Sequence, residues 1–218
     1  MHTPITQARP SVYYTYQVHQ PWLASQHPPQ PRQQVVIVGS GPAGMVTALE
    51  LARHGVPSVI VTAELQVSQG SRAIVFTRRS MEILQQVGVA DRMTTHGLPW
   101  RFGNSFYRGQ CVFRLEALHD PDDRFFPMLN IQQQYLEEYL LDACDAHPLI
   151  EVRWGNKLTR VEQREGHVLA EIDTPEGTYT LETDWLVAAD GGRSGIRTAL
   201  NLQMEGASYE GFFVIDDI

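Results

Sequence analysis

The chain has 218 residues, with 17 Lys and Arg against 25 Asp and Glu, and its formal net charge of −8 opposes the phosphate neutralisation on which nucleic-acid binding depends. Two cysteines, Cys111 and Cys144, are too few for a disulfide framework or a zinc site, so both are expected to pack as small apolar residues in a reducing compartment. There is no apolar run of the roughly 18 residues a membrane span needs and no basic start followed by an apolar stretch, so a soluble cytoplasmic protein is expected.

Residues 1–33 are rich in Pro, Gln and Tyr, and the prolines break any helical or strand period. This lead-in is either a disordered tail or a segment docked through its aromatic cluster, Tyr13, Tyr14, Tyr16 and Trp22. From Gln34 to Val38 the β-branched run VVIV predicts a strand buried on both faces. A helix should follow from Pro42 to His54, with proline suited to a first helical position and Gly55 to the left-handed residue beyond the last turn. Ser58 to Thr62, SVIVT, completes a βαβ unit of ordinary size.

Further on, a helix is expected from Ser80 to Val87, ending at Gly88, and an extended stretch around Phe106 to Leu115. Gln132 to Ala146 is the longest helical pattern, with Tyr135, Leu136, Tyr139, Leu140 and Ala143 on one face. Short strands are expected at Ile150–Trp154, Leu158–Gln163, Val168–Asp173 and Thr178–Glu182, the last two joined by a turn at Thr174-Pro175-Glu176-Gly177. A separate strand, WLVAA, leads into Asp190-Gly191-Gly192, and a short helix spans Ser194 to Leu200. The fold class is therefore α/β, a Rossmann-like domain over residues 34–202 with a parallel sheet and a β-meander crossover.

Residues 39–44, GSGPAG, carry the GxGxxG spacing directly after a strand and before a helix, the context that gives this pattern its value. Gly39 would allow the tight turn, Gly41 would let backbone approach a pyrophosphate, and Gly44 would let helix and strand pack closely. The helix start at Pro42 and Ala43 offers free N–H groups and a partial positive charge to phosphates. At the end of the second strand, where a carboxylate ordinarily accepts from the adenosine ribose, stands Thr62. Glu64, two residues on, could substitute. A neutral acceptor is worth less than an ionised one, so weakened dinucleotide affinity is expected.

GSGPAG, QGSRAIVFTRRSMEILQQVGV and LVAADGGRSGIR, together with FYRGQCVFR and the helix IQQQYLEEYLLD, occur in an order that resembles the class A flavoprotein (FAD-dependent) aromatic monooxygenases. Among them the chain is most similar to the phenol and 3-(3-hydroxyphenyl)propionate hydroxylase branch. The resemblance implies that Gly39, Gly41 and Gly44 hold the FAD pyrophosphate. It implies that Arg72 lies along the flavin's ribityl and phosphate chain, where a guanidinium fork suits a diphosphate, and that Gln133 contacts the flavin side chain. Asp190, Gly191 and Arg197 match the family's Asp-Gly motif, associated with FAD and NAD(P)H. Each has a plainer reading from the residues alone: a surface ion pair for Arg72, a solvent-facing helix residue for Gln133, a helix cap for Asp190.

The family's chemistry would have NAD(P)H reduce FAD, with O2 then trapped as a flavin hydroperoxide that hydroxylates a small aromatic substrate. No catalytic base and no metal site is identifiable. Family members continue through a substrate domain and a later Gly-Asp motif, which this sequence lacks. Residues 203–218, ending EGFFVIDDI, are expected to start that domain, and the chain to be incomplete, weakly active or inactive alone, with a homodimer or a complementing C-terminal half as possible partners. The competing readings are a reductase or dehydrogenase of the same superfamily and a remnant that only binds nucleotide or a partner.

Overall fold

A computed structural model describes residues 1–69, 74–207 and 210–211. Its centre is β1 (Gln33–Val38), which continues into α1 (Pro42–Arg53) and then β2 (Ser58–Val61). The helix ends at His54, and Gly55 follows with φ +74°, the left-handed residue expected from the sequence. Three short strands, β3 (Val75–Thr77), β4 (Leu98–Trp100) and β7 (Met128–Asn130), form a small antiparallel sheet in the order β3-β7-β4. Between them lie α2 (Arg78–Gln86), α3 (Ala90–His96) and a hairpin of β5 (Phe102–Tyr107) with β6 (Gln110–Glu116).

The chain returns through α4 (Gln133–Asp145) to β8 (Ile150–Arg153), then runs up and down as β9 (Lys157–Arg164), β10 (His167–Thr174) and β11 (Gly177–Ala188) before α5 (Gly195–Ala199). The main sheet has the order β8-β2-β1-β11-β10-β9. Its first four strands are parallel, and β11, β10 and β9 form the antiparallel meander. This is the parallel sheet with a meander crossover expected from the sequence.

The VVIV run is apolar throughout because β1 is covered on both sides. Val35 and Ile37 join Ile60 against Met45, Ala48 and Leu49 of α1 and Leu136 and Leu140 of α4. Val36 and Val38, pointing the other way, gather with Val59, Val61, Ala170, Ile172, Leu181 and Ile196. Alternate residues of one strand thus enter two cores, which holds the end of β1 rigidly where the glycine turn begins.

Four expectations are corrected. Cys144 is buried, but Cys111 is exposed, because every residue of β6 is exposed and, among the described residues, the β5–β6 hairpin pairs only with itself. The strands expected at 178–182 and at WLVAA are one, β11, in which Thr183 pairs with both Val168 of β10 and Gln33 of β1. Its antiparallel and parallel partners change midway, so the polar residues in between interrupt the pattern without interrupting the backbone. The buried side of α4 is wider than one stripe, taking in Gln134, Glu137, Leu141 and Cys144, since this helix packs on both α1 and β8. Finally, α2 starts at Arg78, two residues before the expected Ser80, because the Thr77 hydroxyl accepts from the Ser80 N–H and caps it. The strand expected at the C-terminal end falls on residues 212–218, outside the described residues.

The lead-in docks. Tyr16 is buried and meets Tyr14 edge-on, and Tyr14 in turn meets Tyr135 of α4. Further along, the Arg153 guanidinium lies 4.0 Å from the centroid of the Trp22 ring, and the Trp22 backbone N–H donates to the Trp154 carbonyl at 2.9 Å.

Candidate functional site

The site forms where β1, β2 and β11 all end at one edge of the sheet, the place where open α/β sheets bind ligands. Gly39 leaves β1 with φ +110°, and a Cβ there would stand 2.3 Å from the Ala189 carbonyl oxygen, so the turn off the strand and the approach of the β11 end both demand glycine. Gly44 is fixed by packing: its Cβ would lie 2.0 Å from the Gly39 carbonyl oxygen.

Gly41 is different. It caps α1, with Pro42 opening the helix, and a Cβ on it would meet nothing within 4 Å among the described residues. No contact among the described residues explains the glycine, and the space it leaves lies over the helix start. There the amides of Gly41, Ala43 and Gly44 have no intrahelical acceptor by helix geometry, and the partial positive charge gathers. Such a cradle fits a diphosphate.

Gly39, Gly41, Pro42 and Ala43 line a crevice of about 420 Å³ that also holds Thr62, Glu64, Gln133, Asp190 and Gly191. Thr62 is buried and its Oγ1 accepts from the Ser40 hydroxyl at 3.0 Å. Glu64 sits further out, half-exposed, and accepts from Arg9 Nη2 at 2.7 Å. Asp190 accepts from the Ile196 N–H at 3.3 Å through Oδ2, ordering the Gly191-Gly192 turn into α5, whose cap is Ser194. It caps the turn and faces the crevice at once. Arg197 points back into the turn, donating to the Gly192 carbonyl at 3.0 Å. Arg72 lies outside the described residues.

Of the three consecutive glutamines, Gln132 is exposed and Gln134 is buried, while Gln133 lines the crevice. Its amide donates to Glu137 Oε1 at 2.6 Å. Glu137, one turn along α4, is 3% exposed and also accepts from the Ser68 N–H at 2.6 Å and hydroxyl at 2.8 Å. Three donors compensate the buried carboxylate and hold Gln133 at the crevice wall.

Sequence reasoning missed Glu137, Ser68, Ser40 and Arg9. A carboxylate four positions after Gln133, on the same helix face, was the only available signal for Glu137. Arg9 and Ser68 carry none, since their contacts are long-range. Among the described residues no cluster of three or more metal-ligating side chains converges, and no helix is long and apolar enough to cross a membrane.

Comparison with known proteins agrees with this geometry. A family model described as "FAD binding domain" matches residues 32–215. The para-nitrophenol 4-monooxygenase of a Pseudomonas species is 28% identical over 182 residues, covering 81% of this chain and 44% of that protein. The 3-(3-hydroxy-phenyl)propionate/3-hydroxycinnamic acid hydroxylase 2 of Burkholderia vietnamiensis is 32% identical over 194 residues, covering 86% of this chain and 34% of that protein. Among solved structures, p-nitrophenol 4-monooxygenase PnpA from Pseudomonas putida superposes with a TM-score of 0.77 at 27% identity, covering 82% of this chain and 46% of that one. The flavin-dependent monooxygenase PieE, solved with FAD and substrate, gives 0.73 at 32% identity, covering 83% and 34%. The chain thus spans between about a third and just under half of each of these proteins. The chain belongs to the FAD binding domain family and corresponds to the FAD-binding part of flavin-dependent aromatic monooxygenases.

Proposed function

We propose that this chain is the FAD-holding portion of an NAD(P)H- and O2-dependent monooxygenase that hydroxylates a phenolic or other small aromatic substrate. The observation that carries the reading is Gly41, a glycine required by no contact among the described residues at the N-terminus of α1 in a chain whose family is the FAD binding domain. In this reading the amides of Gly41, Ala43 and Gly44 hold the diphosphate, Gly39 and Pro42 set the turn, and Thr62 or Glu64 accepts from the adenosine ribose. Gln133, fixed by Glu137, faces the flavin side chain; Arg72 reaches the ribityl and phosphate chain. Asp190 and Gly191 close the crevice from the β11 end, and Arg197 braces that turn.

When bound, FAD supplies the acceptance of reducing equivalents from a nicotinamide and the activation of O2. The residues of the crevice bind and orient it. The substrate pocket and the residues that act on the ring are assigned to the rest of a longer protein, in keeping with relatives more than twice the matched length. The domain division that follows is a lead-in over 1–33, the FAD-binding part over 34–202, and the start of a substrate domain over 203–218. Two unpaired cysteines support a cytoplasmic location.

Two measurements test the reading. The purified chain should bind FAD and turn yellow. Supplied with NAD(P)H, 18O2 and simple phenols, a protein that carries the remaining domains should place one labelled oxygen atom on the ring, and the 218-residue chain alone should show little or no hydroxylation. Reduction of an acceptor with no label in the product would make the protein a reductase; a colourless chain that takes up no FAD would leave only a remnant.

A further inference from the structure

The loop after β2, residues 63–68, forms one wall of the crevice beyond Thr62, and the segment ahead of β1 fixes it residue by residue. His2 Nε2 lies 2.8 Å from the Ala63 carbonyl oxygen. Arg9 Nη2 donates to Glu64 at 2.7 Å, its Nη1 to the Val67 carbonyl at 2.8 Å, and its backbone N–H to Gln66 Oε1 at 3.0 Å. The His19 N–H donates to the Leu65 carbonyl at 2.8 Å, and the Tyr16 hydroxyl to the Ser68 carbonyl at 3.4 Å. Gln66, 2% exposed, donates in return to the Gln7 carbonyl at 2.6 Å. Six consecutive loop residues are thus held by contacts from residues 2–19. None of them pairs in a strand of the main sheet, so this segment does for the loop what a neighbouring strand does elsewhere.

Arg9 stands out within that set. Its side chain is 15% exposed, and it is the one cation among the described residues lining the crevice with Gly41, Glu64, Glu137 and Asp190. The strand end offers only the neutral Thr62, whose oxygen already accepts from Ser40. Glu64 is the nearest carboxylate along the chain, and alone on a loop it would turn to solvent. One arm of the Arg9 fork grips its carboxylate while the other is anchored on the loop backbone, which leaves the remaining carboxylate lone pairs free to accept.

We propose that Arg9 is a positioning residue for the adenosine side of the dinucleotide site: it holds Glu64 at the crevice rim as the ribose acceptor that Thr62 is not, and residues 2–19 are a structural wall of that site. This rests on the FAD reading above. The test uses the full 218-residue chain and compares FAD with FMN, which lacks the adenosine half. Arg9→Gln and Glu64→Gln should each weaken FAD binding roughly fivefold or more, the order of difference between a charged and a neutral acceptor. FMN binding should stay nearly constant in both, the ligand-free melting temperature should stay nearly constant in Glu64→Gln, and Arg9→Lys should recover part of the loss. The double variant should be no worse than the weaker single one, because both act on one interaction.

Equal weakening of FAD and FMN, additive losses, or unchanged FAD affinity in Glu64→Gln, which is half-exposed and removes no buried contact, would overturn the proposal while leaving the FAD assignment intact. Failure of the unaltered chain to bind FAD at all would overturn both.

Discussion

A Cβ on Gly44 would stand 2.0 Å from the carbonyl oxygen of Gly39, whereas one on Gly41 would touch nothing within 4 Å among the described residues. Two glycines of the same turn therefore exist for opposite reasons, one for the protein and one for its ligand. Gly44→Val should destabilise the fold by at least about 1–3 kcal/mol, the usual cost of overpacking. Gly41→Val should leave the melting temperature within a few degrees yet abolish measurable FAD binding. Thermal denaturation and FAD titration of both variants check this, and a Gly41 variant that binds FAD normally would remove the diphosphate from this turn.

The acid usual at the end of β2 should replace Glu64 when that carboxylate is removed. Thr62→Glu is expected to tighten FAD binding several-fold in the Glu64→Gln variant, as a charged acceptor exceeds a neutral one by about 1 kcal/mol. The Ser40 hydroxyl, which now donates to Thr62 at 3.0 Å, can serve the carboxylate instead. If affinity does not rise, the ribose does not lie at this strand end.

The docking of the lead-in should be measurable through Arg153. This guanidinium is fully buried, paired with Glu151 at 2.9 Å, bonded to Gln30 at 2.7 Å and covered by Trp22. Arg153→Ala removes all of these and leaves a cavity. Because Glu151 is half-exposed and can turn to water, the loss should fall near the lower end for a broken buried pair, about 3 kcal/mol. Urea denaturation reports it, and proteolysis within residues 20–32 should accelerate in parallel.

Acid should weaken the same attachment. Burial lowers the pKa of His19 below its ordinary 6.5, with the Asp145 charge opposing, and its ring stacks on Trp154 at 4.2 Å. A depressed histidine is neutral in the fold and takes up its proton more readily unfolded. Its contribution is therefore complete above pH 6.5 and is lost as pH falls from there toward the folded value. Asp145, raised by burial, acts in the opposite sense, losing stability as pH rises from about 3.8 toward its folded value. Melting temperatures should therefore fall as pH drops just below 6.5, and His19→Phe should flatten that part of the curve; a profile unchanged by the substitution would contradict the assignment.

The parts of the fold legible from sequence are those in which one stretch of chain carries its own reason. VVIV is apolar throughout because two cores claim its two faces, and GSGPAG is glycine-rich because backbone and crevice both need the room. Gly55 and Gly88 mark helix ends by their positive φ. Illegible were β3, β4 and β7, three residues each, which owe their existence to pairing with one another and carry no internal period. The wall made by residues 2–19 was hidden for the same reason. Arg9 and Glu64 are 55 positions apart, and nothing near either signals the other. Gln133 was placed only through resemblance; its physical support, the buried Glu137, becomes apparent once Ser68 is seen to supply two of its donors.

The most direct test is a crystal structure of the chain soaked or grown with FAD. The diphosphate should lie over the N-terminus of α1, within hydrogen-bonding distance of the Gly41 and Ala43 amides, with the ribose between Thr62 and Glu64 and the flavin side chain beside Gln133. Density for the diphosphate elsewhere, or a bound dinucleotide that leaves the space above Gly41 empty, would contradict it.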